Sequence, residues 1–276
     1  MEWSNSRLTR VQKCGEAFRR SEIEKDREPT SPQAIRGSVV HQVAKVALRR
    51  KIGRDNHALP TVDEAKDLAA DLFESRWRDS DVRLMVPEED GGETLRQARG
   101  EAKDLAIQLA GHHIDVVAPT IDPIAVERQI IVRPKNSDLV IHGTLDVVSR
   151  EPEDVEAIRD TKTSRKPPSK DAADKSQQLT MYGLVRLAAS GVLSPMRLDN
   201  LWMTPKQRRL EYRELKTTRD QEDFEALVHR INVATQAVER GVFLPADPAS
   251  AWWCSPKWCG YWDSCPYVRR SKRPLN

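Results

Sequence analysis

Between Gly15 and Trp253 the sequence contains no cysteine. A fold stapled by disulfides along its length is thereby excluded, and such sparing use agrees with a reducing compartment. No run of about 18 apolar residues occurs, so no membrane-spanning helix is expected. The opening stretch MEWSNSRLTRVQK lacks the apolar segment of a secretion signal, and the expectation is a soluble, cytoplasmic protein. No G-x-x-x-x-G-K-[ST] loop is present, which excludes a nucleotide-driven motor built on that phosphate cradle. Neither sign of charge dominates, the formal net charge being +3 on 276 residues of which 32% are charged. An affinity for a polyanion must therefore come from local clusters. There is no internal repeat and no low-complexity tract.

With 38% apolar composition, 276 residues can bury one substantial core and a small lobe, and one domain spanning 1–276 with appendages is expected. Helical spacing of apolar residues runs through 4–20 and 35–52, and two further helices are expected over 61–79 and 93–117. The third of these four starts as N-terminal capping prefers, with Thr61 followed by Asp63 and Glu64. DSDVRLMVPEEDGG (79–92) reads as a mobile connection between helices. From 121 the texture changes to β-branched runs. IDPIAVERQIIV and DLVIHGTLDVVS form an expected hairpin around RPKNS, and DVEAIRDTKT follows as a third strand. A helix over 176–190 stops at Gly191, MRLDNLWMT and RRLEYREL make two more strands, and 218–240 is a long amphipathic helix ending near Gly241.

The pattern acid-x-Lys occurs at Glu64–Lys66, Glu101–Lys103, Asp160–Lys162 and Glu214–Lys216. Only Asp160-Thr161-Lys162 ends an expected strand that follows another strand carrying a lone acid, Asp146. Ile141, Leu145, Val147 and Val148 around it imply burial, and a buried carboxylate needs a metal, a cation or hydrogen-bond donors. If the two strands pair, Asp146 and Asp160 repel unless a divalent cation lies between them. Such a cation activates water and offsets charge growing on a phosphate, while Lys162 orients the water or stabilises the transition state. The reaction class this points to is phosphodiester hydrolysis. The plainer alternative is a surface acid beside a buried acid held by ordinary hydrogen bonds.

Upstream, RGSVVHQV sets His41 on an apolar helix; downstream, Gln178 and Tyr182 are four residues apart and share one helical face. The ordered set of G-x-x-x-H at Gly37–His41, Glu127, G-x-x-D at Gly143–Asp146, D-x-K at 160–162 and Q-x-x-x-Y at 178–182 resembles the RecB-like branch of the PD-(D/E)XK nucleases. The resemblance runs from about residue 4 to 267. It implies an α/β restriction-endonuclease-like core, a central mixed β-sheet flanked by helices. It implies that His41, Asp146, Asp160 and the Thr161 main-chain carbonyl bind Mg²⁺ or Mn²⁺, with Lys162 catalytic and Glu127 a supporting acid. It also implies that Gln178 and Tyr182 hold DNA near the metal. Arg165, Lys166, Lys170 and Lys175 follow at once and are placed to contact phosphates; residues 161–175 carry five basic and two acidic side chains. The tail 269–276, with Arg269, Arg270, Lys272 and Arg273 and no acid, is either a solvated end or a further phosphate contact.

Cys14 stands apart from Cys254, Cys259 and Cys265 in sequence. Four thiolates suit structural zinc or a four-iron, four-sulfur cluster. Cys14 lacks the near partner usual in zinc sites, and Cys265-Pro266 matches the Cys-Pro that closes ferredoxin-like runs, so the cluster is the expectation. The one-plus-three division resembles the iron–sulfur subgroup of RecB-like nucleases, which includes CRISPR-associated exonucleases and AddB-type nuclease domains. That subgroup more often has two residues between its second and third cysteines; here there are four, SPKW. Such a cluster would tie helix 4–20 to 250–268 in one lobe. The tryptophans at 252, 253, 258 and 262 are expected to shield it, with base stacking along a single strand as the alternative. The expected activity is a metal-dependent DNA exonuclease on single-stranded or open-ended DNA, in a bacterial or phage-infected cell. Any unwinding would come from a helicase or recombination partner. The alternative is an iron–sulfur DNA-binding accessory subunit without turnover.

Overall fold

A computed structural model describes residues 1–52, 58–84, 92, 94–135, 138–204 and 206–268. Residues 85–91 of the expected connection and the whole basic tail 269–276 lie outside the described residues. All five expected strands form: β2 (Asp122–Val132), β3 (Val140–Glu151), β4 (Val155–Ser164), β5 (Met196–Met203) and β6 (Leu210–Thr217). They build one mixed sheet in the order β2-β3-β4-β5-β6, in which only the β4–β5 pair is parallel. The chain makes that parallel step through a helix, as a crossover requires. A short strand the sequence did not announce, β1 (Glu2–Trp3), pairs in parallel with Val140 and Ile141 at the start of β3. Since β2 occupies the other edge of β3 there, β1 lies on the edge that β4 takes further along.

Helices cover both faces. On one side α3 (Pro32–Lys51), α4 (Val62–Arg78) and α5 (Leu95–His112) pack an aliphatic core around Val39, Val43, Phe73, Leu105 and Leu109 against Val147 and Leu201. On the other, α1 (Asn5–Lys13), α6 (Gln177–Ser190) and α7 (Gln221–Glu239) close over Leu145, Val148, Ile158 and Met196. Thr61 caps α4 with a reciprocal Thr61–Glu64 box, and α6 stops at Gly191, both as the sequence implies. The helix expected over 4–20 is broken instead. Cys14 is extended, with φ −164° and ψ 112°, between α1 and α2 (Gly15–Phe18), which runs on through a π-turn to Ile23. The cause is a backbone crossing: the Gly15 amide donates to the Leu244 carbonyl at 2.7 Å, and a Cβ at Gly15 would lie 2.6 Å from Leu244 backbone. Only glycine permits that approach, and it turns Cys14 toward the C-terminal segment.

Behind β4, Arg159 is buried and donates to both carboxylate oxygens of Asp199 on β5 at 2.9 Å and to Glu214 on β6 at 2.6 Å. Tyr212 adds a hydrogen bond to Asp199 at 2.7 Å. Burial alone would lower the Arg159 pKa, but Asp199 and Glu214 hold it above its ordinary value. This charge network clamps three strands together one residue before Asp160. No helix among the described residues is long and apolar enough to cross a membrane.

Candidate active site

The β3–β4 ladder starts at Glu151–Val155 and ends at Val147–Arg159. The next positions across the pair are Asp146 and Asp160, and here the strands part, β4 continuing with β5 alone. Two adjacent carboxylates repel, so the splay falls where the sequence places like charges side by side. On the far side of β3, Glu127 sits between the pairs Val126–Val147 and Arg128–Leu145, hence opposite Asp146. Three acids thus stand in one row across three strands. Glu127 has φ 55°, a left-handed conformation uncommon for a non-glycine residue within a strand.

Two donors converge on one oxygen of Asp146: His41 Nδ1 on α3 at 3.2 Å and the Thr161 amide at 3.3 Å. Burial would raise the Asp146 pKa, but His41, Lys162 and that amide together hold it below the ordinary value. Asp160 is fully buried, and burial pushes its carboxyl up to about 7, with Lys162 opposing the shift and Asp146 adding to it. Lys162 Nζ lies 3.1 Å and 3.0 Å from the two Asp160 oxygens and donates to Gln178 Oε1 at 2.8 Å. Gln178 Nε2 in turn donates to Tyr182 Oη at 2.5 Å. The Tyr182 ring rests on β3 at Gly143, where a Cβ would stand 3.3 Å from it. His41, Asp146, Asp160, Lys162, Gln178 and Tyr182 are therefore joined by one run of contacts, His41 from one helical layer and Gln178 and Tyr182 from the other.

This donor set suits a hard divalent cation. Asp160 is fully buried with the Lys162 ammonium 3.0 Å from its Oδ2, and two carboxylates with opposite protonation tendencies stand beside a histidine. Among the described residues no three His, Cys, Asp or Glu side chains are arranged to hold a single ion as they stand. The His41–Asp146 and Lys162–Asp160 contacts use the very atoms that would coordinate. A pH effect follows from Asp160. Its native pKa lies above the unfolded value, so its contribution to stability is complete below about pH 4 and is lost as pH rises toward 7. In EDTA, Asp160→Asn is therefore expected to melt higher than the parent at pH 8, with the advantage vanishing toward pH 4. A constant difference across that range would contradict the assignment.

Sequence reasoning missed three neighbours. Lys45, one turn beyond His41 on α3, pairs with Glu127 at 3.6 Å; its i+4 spacing from His41 was the available signal. His113 is fully buried with both ring nitrogens unpartnered, its pKa pushed down to about 3 by burial and then by His41. Arg36, also buried, has its pKa lowered by burial and by the nearby charge of Arg165. The expected phosphate contacts Arg165, Lys166 and Lys170 are exposed on the loop after β4. Lys175 is engaged by Asp171.

Far apart in sequence, Cys14, Cys254, Cys259 and Cys265 line one small cavity. Burial and the neighbouring thiols raise the Cys254 pKa, and burial takes Cys259 up to about 11. Thiolates crowded in this way would need a metal's positive charge, but among the described residues no three of these side chains are arranged to hold an ion as they stand. Gly260 donates to Glu28 at 2.6 Å, Tyr261 to the Asp26 carbonyl at 2.5 Å, and Arg83 to the Gly260 carbonyl at 3.0 Å, docking the segment. The expectation that all four tryptophans shield this region is corrected in part. Trp262 is buried, but Trp252 is 65% and Trp258 43% exposed.

Residues 2–266 match the sequence model of the PD-(D/E)XK nuclease superfamily. A crystal structure from Eubacterium rectale, of a protein provisionally named an exonuclease, superposes with a TM-score of 0.54 at 14% identity, covering 98% of this chain and 90% of that one. At that identity the likeness is one of fold. The structure of SSO0001 gives a TM-score of 0.37 at 16% identity, with 84% of this chain and 98% of that chain covered. No curated protein matches.

Proposed function

The chain belongs to the PD-(D/E)XK nuclease superfamily, whose members use divalent metals such as Mg²⁺ or Mn²⁺, and from that premise we propose a DNA exonuclease acting on single-stranded or open-ended DNA. The observation that carries the reading is the row of Glu127, Asp146 and Asp160 at the splay of β3 and β4, with Lys162 held 3.1 Å from Asp160. Asp146, Asp160, His41 and the Thr161 carbonyl would hold the cation, which would supply an acidified water and neutralise charge on the phosphate. Lys162 is fixed from both sides, by Asp160 and by Gln178. It offers its remaining proton to the attacking water or to a phosphate oxygen as negative charge builds. Gln178 and Tyr182, linked to that lysine by hydrogen bonds, would hold the strand near the cation. Glu127, kept by Lys45, adds negative potential without being a ligand.

We also read the four-thiol cavity as the seat of a four-iron, four-sulfur cluster of the kind found in CRISPR-associated exonucleases and AddB-type domains. Such a cluster would join the break at Cys14 to the C-terminal segment, giving an iron–sulfur lobe. Cys265→Ser is expected to remove iron, sulfide and brown colour together and to make both ends protease-sensitive; a colourless protein holding one zinc per chain would overturn the cluster. Recombination, repair or CRISPR-adaptation-like processing beside a helicase is the context proposed.

The test is cleavage of end-labelled single-stranded and duplex DNA by anaerobically purified protein with Mn²⁺, Mg²⁺ or EDTA. Metal-dependent loss of label supports the nuclease, and the surviving end gives polarity. Tight DNA binding without cleavage under every metal would favour the accessory subunit.

A further inference from the structure

A cavity of about 390 Å³ opens between α1 and the C-terminal segment, lined by Arg10, Lys13, Trp253 and Trp258 and continuous with the thiol site, since Cys14 and Cys254 line it too. Trp252 packs edge-on to two rings of that lining, Trp253 at 5.7 Å and Trp258 at 5.2 Å. Trp252 and Trp258, in contact with each other and both exposed, leave an aromatic shelf open to solvent of the kind on which bases can stack.

The charges beside it are positive. Lys257 Nζ lies 5.6 Å from the centre of the Trp258 ring, and no ion pair engages Lys13 among the described residues. Arg10 has one long contact, 3.7 Å, to Glu22. The acid lining the cavity, Glu28, already accepts the Gly260 amide at 2.6 Å.

The shelf is also joined to the catalytic cleft. Gln177 and Gln178 are consecutive on the first turn of α6. Gln178 accepts from Lys162, while Gln177 donates to Asn5 at 3.3 Å and Thr9 at 3.2 Å on the α1 face that lines the cavity.

We infer that this shelf is the track for single-stranded DNA entering or leaving the cleft, its bases stacked on Trp252 and Trp258 and its phosphates beside Arg10, Lys13 and Lys257. The inference rests on the nuclease reading. Stacking on exposed indoles is indifferent to sequence, as a degradative enzyme needs, and the cations complement the backbone.

The test uses the full chain made cleavage-deficient by Asp160→Asn, with binding of short and long fluorescent oligothymidylates followed by anisotropy. Trp252→Leu and Trp258→Leu are each expected to weaken binding of the long strand about tenfold, the scale of one base stack on an aromatic ring. The short strand, spanning the cleft alone, should lose little. Trp258→Phe should recover most of the affinity because the flat ring returns. Lys13→Gln and Lys257→Gln should each lower the salt slope by about 1. Equal losses for Leu and Phe would show that the ring packs the fold and would overturn the track, as would leucine variants that bind long strands like the parent. The latter result would leave the shelf to a protein partner. If the parent cleaves DNA while the leucine variants bind normally, only the track falls; if the parent neither cleaves nor binds DNA, the nuclease reading falls with it.

Discussion

Asp160→Asn and Lys162→Ala are each expected to slow DNA cleavage by about three orders of magnitude, the upper range for loss of one preorganised transition-state contact, while DNA binding survives. The asparagine keeps the volume of a fully buried side chain but removes the charge that holds Lys162 and would hold a cation. The alanine leaves Asp160 in place but takes away the ammonium held between Asp160 and Gln178. Because the two side chains share hydrogen bonds, the double variant should be scarcely slower than either single one. Multiplicative losses would show that they act separately. Gln178→Ala, which frees Lys162 on one side only, should give an intermediate loss. Parallel loss of binding and cleavage in Asp160→Asn would mean that the fold, not the chemistry, had been damaged.

Much of this site was legible because strand periodicity is unambiguous where β-branched residues run together. The Ile141–Val148 stretch placed Asp146 on a buried strand, and Asp160 fell at the end of the next, so their adjacency needed only the pairing of two consecutive strands. Gln178 and Tyr182 were readable from four-residue spacing on a helix. What was not readable depended on contacts far apart in sequence. The break at Cys14 comes from the Leu244 backbone crossing at Gly15, which no local propensity announces. Lys45 meets Glu127 only because the fold brings α3 over β2, a contact between residues far apart in sequence. The exposure of Trp252 and Trp258 was equally hidden, since composition favours burial of tryptophan and only the docking of the segment by Glu28 and Arg83 decides which rings turn outward.

Asp199→Ala is expected to destabilise the protein by about 3–5 kcal/mol, the cost of stranding a buried charge. Asp199 is wholly buried and takes two hydrogen bonds from Arg159 and one from Tyr212. Truncation leaves the buried Arg159 guanidinium with Glu214 and the more distant Glu151. An exposed ion pair such as Lys66–Asp63 would cost a small fraction of that. In a chain of this size the loss corresponds to a melting temperature lower by roughly 10 °C. The double replacement Arg159→Met with Asp199→Leu removes both charges and should recover most of the stability, because buried ion pairs gain little over apolar side chains of similar volume. Activity separates the two roles of the network. Arg159 directly precedes Asp160 on β4, and its bonds to β5 and β6 hold that strand at the point where it leaves β3. The double variant, stable but without the clamp, should cleave more slowly at saturating DNA than its melting temperature alone would suggest. Full activity there would mean that backbone pairing of β4 with β5 is enough to place the catalytic carboxylate.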